Sequence, residues 1–191
     1  MRTTEVPAVI VVGAGPAGLT AAIALARHGV RTLVVERRTE LSQFPRATGI
    51  SLRTMELMRA WGLEGAIRSG SIDARPTGWV GRTLASTEGA EVSMGFPTGE
   101  VAAAISPTSG VIAPQDHLEP VLMDHLRSLP GVSIRLGVEL IALDQDDDGV
   151  TATLREHDDT STVRAAYVIG ADGARANGMK PEQIHHERFD W

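Results

Sequence analysis

The sequence contains no cysteine, and only one of its 18 basic residues, Lys180, is a lysine. The missing cysteine excludes disulfides, thiolate nucleophiles, cysteine-ligated zinc and iron–sulfur clusters. It also fits a reducing compartment, so we expect a cytoplasmic protein. The net charge of −6 argues against a general nucleic-acid-binding protein, because such proteins carry clustered positive charge.

A hydrophobic run that could cross a membrane without interruption is also missing. The uncharged stretch 6–26 comes nearest, but Gly13, Gly15, Pro16 and Gly18 interrupt it. We interpret it as a buried strand, a turn and a helix, and not as a signal peptide or a membrane helix. With 42% apolar and 22% charged residues in 191 positions, the composition predicts about one packed globular domain.

The N-terminal residues predict a strand–helix–strand unit. Small and β-branched apolar residues at 8–12 are typical of a strand buried in a parallel sheet. Apolar residues then follow helical spacing over 17–28, and a second apolar strand occupies 32–35 and ends at Glu36. This βαβ pattern predicts an α/β fold with a Rossmann-like parallel sheet.

The rest of the chain predicts more strands and two further helices. A helix is expected at 51–61, helical spacing resumes from Leu118 to Leu129, and Tyr167 to Ile169 form a buried strand. We interpret the Gly-, Pro-, Ser- and Thr-rich segment 70–114 as irregular, with two or three inserted strands including 78–84 and 92–96. Four more strands are predicted at 132–136, 138–143, 150–156 and 162–165. Two polar turns connect the last three of these strands, which predicts an antiparallel meander.

Residues 13–18 read GAGPAG, between the predicted first strand and helix. In such a turn Gly13 allows the tight bend, Gly15 lets the backbone approach a pyrophosphate, and Gly18 lets helix and strand pack closely. The helix N-terminus offers N–H groups and partial positive charge to phosphates. Glu36 can accept hydrogen bonds from the adenosine ribose and would repel a 2′-phosphate. These residues therefore predict FAD or NAD and leave the two open.

Further motifs follow in a fixed order: Glu36-Arg37, PRATGISLRTMELMRAWGL (45–63), PQDHLEPVL (114–122) and YVIGADGAR (167–175). Together they resemble the FAD-dependent aromatic hydroxylases, the single-component flavoprotein monooxygenases of the para-hydroxybenzoate hydroxylase type. The polyketide and phenol hydroxylase branch is the most similar. The resemblance extends over about residues 6–175 and favours FAD over NAD. It implies a FAD-binding domain over 1–175, with 70–114 as a partial insertion of the substrate domain.

The resemblance also implies which residues hold the cofactor. Arg46 is expected near the pyrophosphate, Gln115 near the ribityl chain, and Asp172 in a motif that helps hold FAD and is implicated in NAD(P)H use. It implies no catalytic side chain and no metal ligand. The full set of expected FAD-binding residues is Gly13, Gly15, Pro16, Ala17, Gly18, Glu36, Arg37, Arg46, Gln115, Gly170, Asp172 and Gly173.

The implied activity is a monooxygenase that uses NADPH or NADH and O2 to hydroxylate a small aromatic, phenolic or polyketide substrate. Two alternatives stay open: a non-catalytic FAD-binding remnant and, less favoured, an NAD-dependent dehydrogenase. Residues 176–191 depart from the family pattern, and the Gly-Asp dipeptide of the family's second FAD motif is absent from the sequence. We therefore expect 176–191 to be a tail outside the family domain, and a truncated chain that does not hydroxylate by itself.

Overall fold

A computed structural model describes residues 6–46, 49–72, 77–83, 85–93, 95, 97 and 99–173, so the predicted tail 176–191 lies outside the described residues. The strands are β1 (Val9–Val12), β2 (Thr32–Glu36), β3 (Gly49–Ile50), β4 (Thr77–Gly81), β5 (Gly89–Ser93), β6 (Val111–Ile112), β7 (Val132–Leu136), β8 (Val138–Asp146), β9 (Gly149–Glu156), β10 (Asp159–Ala165) and β11 (Tyr167–Gly170). The helices are α1 (Pro16–Arg27), α2 (Leu52–Ala60), α3 (Glu64–Ser69), α4 (Gly99–Ile105) and α5 (Gln115–Ser128). Two compact units divide the chain: the first holds 1–42 and 122–191, and the second holds 43–121.

A four-stranded parallel sheet forms the centre of the first unit, in the order β11-β1-β2-β7. All four residues of β1 are buried, as are the first four of β2, and most are β-branched. Such residues favour strands, and burial on both faces is typical of parallel sheets. The predicted parallel sheet is confirmed. The uncharged stretch 6–26 enters this sheet as β1 and continues into α1.

The three-stranded antiparallel meander is also confirmed, in the order β10-β9-β8. Its alternate residues are buried and pack with inward-facing residues of β1 and β2 in one core: Ile10, Val12, Leu33, Val35, Val138, Leu140, Val150, Ala152, Leu154 and Ala165. The strands extend further into the polar segments than expected. Two-residue turns, 147–148 and 157–158, suffice to reverse the chain.

Helix α1 lies wholly in the first unit and buries one face. In α1 that face comprises Gly18, Leu19, Ala22, Ile23 and Ala26, at the spacing of a helix that packs on a sheet. No helix within the described ranges is both long enough and apolar enough to cross a membrane.

Helix α5 begins at Gln115, three residues before the predicted start. A helix that started at Leu118 would place Pro120 in its first turn, where proline is tolerated. Because the helix begins earlier, Pro120 lies in the second turn. Since proline has no N–H, the carbonyl of Asp116, four residues before it, receives no helical hydrogen bond from Pro120.

The second unit is more regular than its composition suggested. It contains α2, which Ser51 caps by accepting the Thr54 N–H at 3.2 Å, and two small antiparallel pairs, β3–β6 and β4–β5. Helices α3 and α4 were not predicted, and α4 corrects the irregular interpretation of 70–114. Its residues 100–105 read EVAAAI, and three successive alanines give strong helix propensity despite the Gly- and Pro-rich surroundings.

Candidate functional site

A sharp turn joins β1 to α1, and Gly13 stands at its start. Gly13 has a φ of +106°, which side-chain-bearing residues rarely adopt, and its N–H donates to the Val35 carbonyl at 2.8 Å. A Cβ on Gly13 would lie 2.3 Å from the Ala171 carbonyl oxygen. The turn, β2 and the residue after β11 therefore meet at one point, and this point accepts only glycine.

The turn leads directly into the N-terminus of α1. Gly15 is the capping residue and has no side chain to occupy the end of the helix, while Pro16 occupies the first helical position. The N–H groups of Ala17 and Gly18 precede the first intrahelical bond, which Leu19 donates to the Gly15 carbonyl at 2.9 Å. Donors and the positive end of the helix dipole at this point suit a phosphate group.

Glu36 ends β2 and binds the same turn through its carboxylate. Its Oε2 accepts the Ala14 N–H at 2.9 Å, and its Oε1 accepts the Arg38 N–H at 3.0 Å. A carboxylate has about four acceptor positions. Glu36 can therefore hold the turn and still accept hydrogen bonds from two hydroxyl groups of a ligand.

A cleft in the first unit gathers these residues, because the carboxyl ends of β1, β2 and β11 lie at one edge of the parallel sheet. It brings together four of the predicted FAD-binding residues, Gly13, Glu36, Arg37 and Asp172. The complete lining is Val12, Gly13, Val35, Glu36, Arg37, Val138, Glu139, Leu140 and Asp172.

One wall of the cleft, which was not predicted from the sequence, consists of Val138, Glu139 and Leu140. These residues begin β8, and their spacing indicates only a strand; no motif links them to a cofactor. Glu139 is held in place by Arg155 on the neighbouring strand β9, with 2.5 Å between Nη2 and Oε2. The signal that could have found them is topological, since Val138 and Leu140 of β8 share one core with residues of β1 and β2.

The predicted Asp-Gly motif continues from β11. Gly170 ends the strand opposite Val12, and Ala171 donates its N–H to the Val12 carbonyl at 2.7 Å. Asp172 follows and lines the cleft, and Gly173 is the last described residue. The motif is thus anchored beside the glycine turn by main-chain contacts.

Arg46 and Gln115 belong to the second unit. Gln115 is the first residue of α5, and its side-chain amide donates to Glu119 Oε1 at 2.5 Å. The antiparallel pair β3–β6 joins Gly49 to Ile112, so Arg46 (three residues before Gly49) and Gln115 (three after Ile112) follow the same end of the pair. The role of both residues toward FAD stays a prediction.

The fold and the cleft define the class, a Rossmann-like dinucleotide-binding domain, and the glycine turn with its helix N-terminus fits a diphosphate. Over residues 6–188 the sequence matches the FAD binding domain family, and the chain belongs to this family. The prediction of FAD as the cofactor is therefore confirmed. In the described part of the chain, no group of three His, Asp or Glu residues is arranged to hold a metal ion.

Among the relatives that match the chain are enzymes named as hydroxylases and monooxygenases. The aklavinone 12-hydroxylase RdmE of Streptomyces purpurascens is 42% identical over 179 residues, which cover 88% of this chain and 33% of that enzyme. The 2,4-dichlorophenol 6-monooxygenase of Delftia acidovorans is 38% identical over 181 residues, covering 88% of this chain and 30% of that enzyme. The chain thus spans about a third of the length of the curated relatives it matches.

Solved structures agree with the sequence relatives. The flavin-dependent monooxygenase PieE, in complex with FAD and substrate, matches with a TM-score of 0.79 at 33% identity, over 91% of this chain and 31% of that chain. An aklavinone-11 hydroxylase, in a ternary complex with FAD and aklavinone, matches with a TM-score of 0.75 at 41% identity, over 92% of this chain and 34% of that chain. The predicted resemblance to FAD-dependent aromatic hydroxylases is confirmed.

Proposed function

We propose that the chain is the FAD-binding part of a monooxygenase that uses NADPH or NADH and O2 to hydroxylate an aromatic, phenolic or polyketide ring. The observation that carries the proposal is the cleft at the ends of β1, β2 and β11, where the glycine turn, Glu36 and Asp172 converge. Bound FAD would supply the redox and oxygen chemistry. The relatives named above, an aklavinone hydroxylase and a dichlorophenol monooxygenase, support a ring as the substrate class.

Each element of the cleft has a separate task in binding. The turn from Gly13 and the N-terminus of α1 receive the pyrophosphate, since backbone N–H groups and the helix dipole favour negative charge. Glu36 accepts the ribose hydroxyls of the adenosine while its bond to the Ala14 N–H keeps the turn in place. For the remaining residues the expected contacts are unchanged: Asp172 helps hold FAD, Arg46 binds near the pyrophosphate, and Gln115 binds near the ribityl chain.

The contribution of Glu36 to binding is tested by titrating FAD into the Glu36→Ala variant. We expect the FAD affinity to fall by about 1–3 kcal/mol, because ribose hydroxyls and the Ala14 N–H lose their acceptor. Glu40→Ala is the matched control, since it removes an exposed carboxylate four residues away and should leave the affinity unchanged. Equal FAD affinity in the wild type and the Glu36 variant would contradict the proposed ribose contact.

The proposed reaction is tested on the FAD-loaded full-length product of the gene, including any residues that the gene encodes beyond position 191. NADPH or NADH is supplied with isotopically labelled O2 and a panel of phenols and polyketides, and products are analysed by mass spectrometry. The proposal expects one labelled oxygen atom in the ring product for each NAD(P)H oxidised. NAD(P)H oxidation that yields no labelled product with any ring would contradict the hydroxylase function and leave FAD binding intact.

A further inference from the structure

A cluster of polar side chains in the second unit connects α3 to a segment far along the chain. The Thr108 hydroxyl donates to Glu64 Oε1 at 2.5 Å, and Arg68 Nε donates to the same oxygen at 3.0 Å. Arg68 Nη2 also donates to Thr108 Oγ1 at 3.0 Å and to the Ser109 carbonyl at 2.9 Å. Arg59 adds a bond to Glu64 Oε2 at 2.7 Å. We call Glu64, Arg68 and Thr108 the clamp.

The clamp is partly shielded from solvent, and two of its members, Glu64 and Arg68, are charged. Thr108 is 8% exposed, and the Glu64 side chain is 18% exposed. The Thr108 hydroxyl, and after it Arg59 and Arg68, lower the pKa of Glu64 to about 2. Glu64 is therefore a carboxylate at every physiological pH, and a charge-assisted network of this kind holds its members in one arrangement.

The clamped segment leads straight into β6. Gly110 lies so close to β3 that a Cβ there would be 3.0 Å from the Ile50 carbonyl oxygen, and Ile112 accepts the Ile72 N–H at 2.7 Å. Two residues beyond Ile112, the chain reaches Pro114 and then the start of α5. Only Ser109 and Gly110 separate Thr108 from β6, which begins at Val111.

We propose that the clamp positions Gln115 relative to Arg46 for FAD binding, by fixing the register of β6 against β3. This inference rests on the proposed function, because it takes both residues as FAD contacts. The hydrogen bonds described for the clamp go to neither Arg46 nor Gln115, so its members are positioning residues. The link is the pairing of Gly49 with Ile112, beyond which Arg46 and Gln115 emerge at the same end.

The test compares two substitutions at one buried position. Thr108→Val keeps the shape of the side chain and removes the hydroxyl, whereas Thr108→Ser keeps the hydroxyl and removes a methyl group. We expect Thr108→Val to weaken FAD binding about threefold or more and Thr108→Ser to bind nearly as the wild type does. Asp124→Asn, which removes an exposed carboxylate in α5, is the control and should leave the affinity unchanged. Unchanged FAD affinity in Thr108→Val overturns the proposal.

A double-mutant cycle separates positioning from general stabilisation. If the clamp acts through Gln115, the loss in Thr108→Val should largely disappear in a chain that already carries Gln115→Ala. Additive losses would show that the clamp acts elsewhere and overturn the proposal. Should Thr108→Val fail to fold, Arg68→Lys serves in the same cycle, because it keeps the charge and loses the forked donor geometry.

Single variants of Arg46 and Gln115 distinguish a failure of this inference from a failure of the proposed FAD contacts. If Arg46→Ala and Gln115→Ala both bind FAD as the wild type does, the proposed contacts fail and the positioning role fails with them. If these variants bind weakly and Thr108→Val binds normally, the contacts stand and only the clamp's role is overturned.

Discussion

At the scale of single residues, Gly18 is the position where the packing of the cofactor turn is most restrictive. A Cβ there would lie 1.9 Å from the Gly13 carbonyl oxygen and 3.3 Å from the Ala171 Cβ. The first contact involves the backbone, so no side-chain rotation can relieve it. We expect Gly18→Ala to lower the free energy of unfolding by about 1–3 kcal/mol, measured by urea denaturation.

The same substitution at Gly65 provides the control for Gly18. Gly65 lies within α3, and a Cβ there would meet no atom within 4 Å. Alanine favours helix over glycine, so Gly65→Ala should raise the free energy of unfolding by up to about 1 kcal/mol. Equal effects at the two positions would contradict the close packing of α1 on the turn.

Glu64 adds a pH dependence to stability. Its folded-state pKa of about 2 lies below the ordinary 4.5, so the folded state binds its proton less readily than the unfolded state. The stabilisation is present above pH 4.5 and is lost as the pH falls toward 2. We expect Glu64→Gln to be less stable than the wild type at pH 7, with a shallower loss of stability between pH 4.5 and 3.

Denaturation curves at several pH values measure this effect. Asp124→Asn, at the exposed end of a surface ion pair with Arg127, should reproduce the wild-type curve. A Glu64→Gln variant whose stability follows the wild-type pH profile would show that the carboxylate gains nothing from Thr108, Arg59 and Arg68.

At the scale of elements, one residue in the turn of the β9–β10 hairpin has an unfavourable backbone conformation, which a substitution by glycine can relieve. His157 has a φ of +56°, the left-handed region, in a two-residue turn. Glycine adopts this conformation without steric cost, so His157→Gly should raise the free energy of unfolding by about 0.5–1 kcal/mol. The measurement is thermal or urea unfolding of both proteins.

The neighbouring turn residue shows whether the gain depends on the backbone conformation. Asp158 does not have a positive φ, so glycine there only adds freedom to the unfolded chain. Asp158→Gly should therefore destabilise the hairpin. Stabilisation by both substitutions, or by neither, would contradict the turn geometry.

Elements with a strong local pattern could be predicted from the sequence, and short ones could not. The β1–α1–β2 unit and the meander carry periodic apolar residues over many positions, so spacing alone indicates them. Strands β3 and β6 have two residues each, and α3 has six. Their formation depends on contacts with distant segments, which no local pattern encodes.

The residues of the candidate site likewise comprise some that could be predicted from the sequence and others that could not. The glycine turn and Glu36 could be predicted, because their chemistry requires fixed spacings along the chain. The wall at 138–140 and the clamp could not be predicted. Thr108 and Glu64 are 44 residues apart, and only the folded chain makes them neighbours.

At the scale of the whole molecule, the chain divides into two compact units. Its sequence matches the FAD binding domain family over residues 6–188, which makes it a dinucleotide-binding protein. The cleft residues described in the first unit suit the adenosine and pyrophosphate portion of FAD. The predicted domain limits, 1–175 with an insertion at 70–114, stay predictions. We therefore expect most of the FAD-binding energy to come from recognition of the adenosine diphosphate portion.

Competition calorimetry measures this contribution when FAD is titrated into the chain alone, with excess ADP, and with excess FMN. ADP carries the adenosine and both phosphates, whereas FMN carries the flavin without the adenosine. We expect saturable binding of one FAD per chain, marked weakening by ADP, and little effect of FMN. Competition by FMN that equals or exceeds competition by ADP, or no saturable FAD binding, would contradict it.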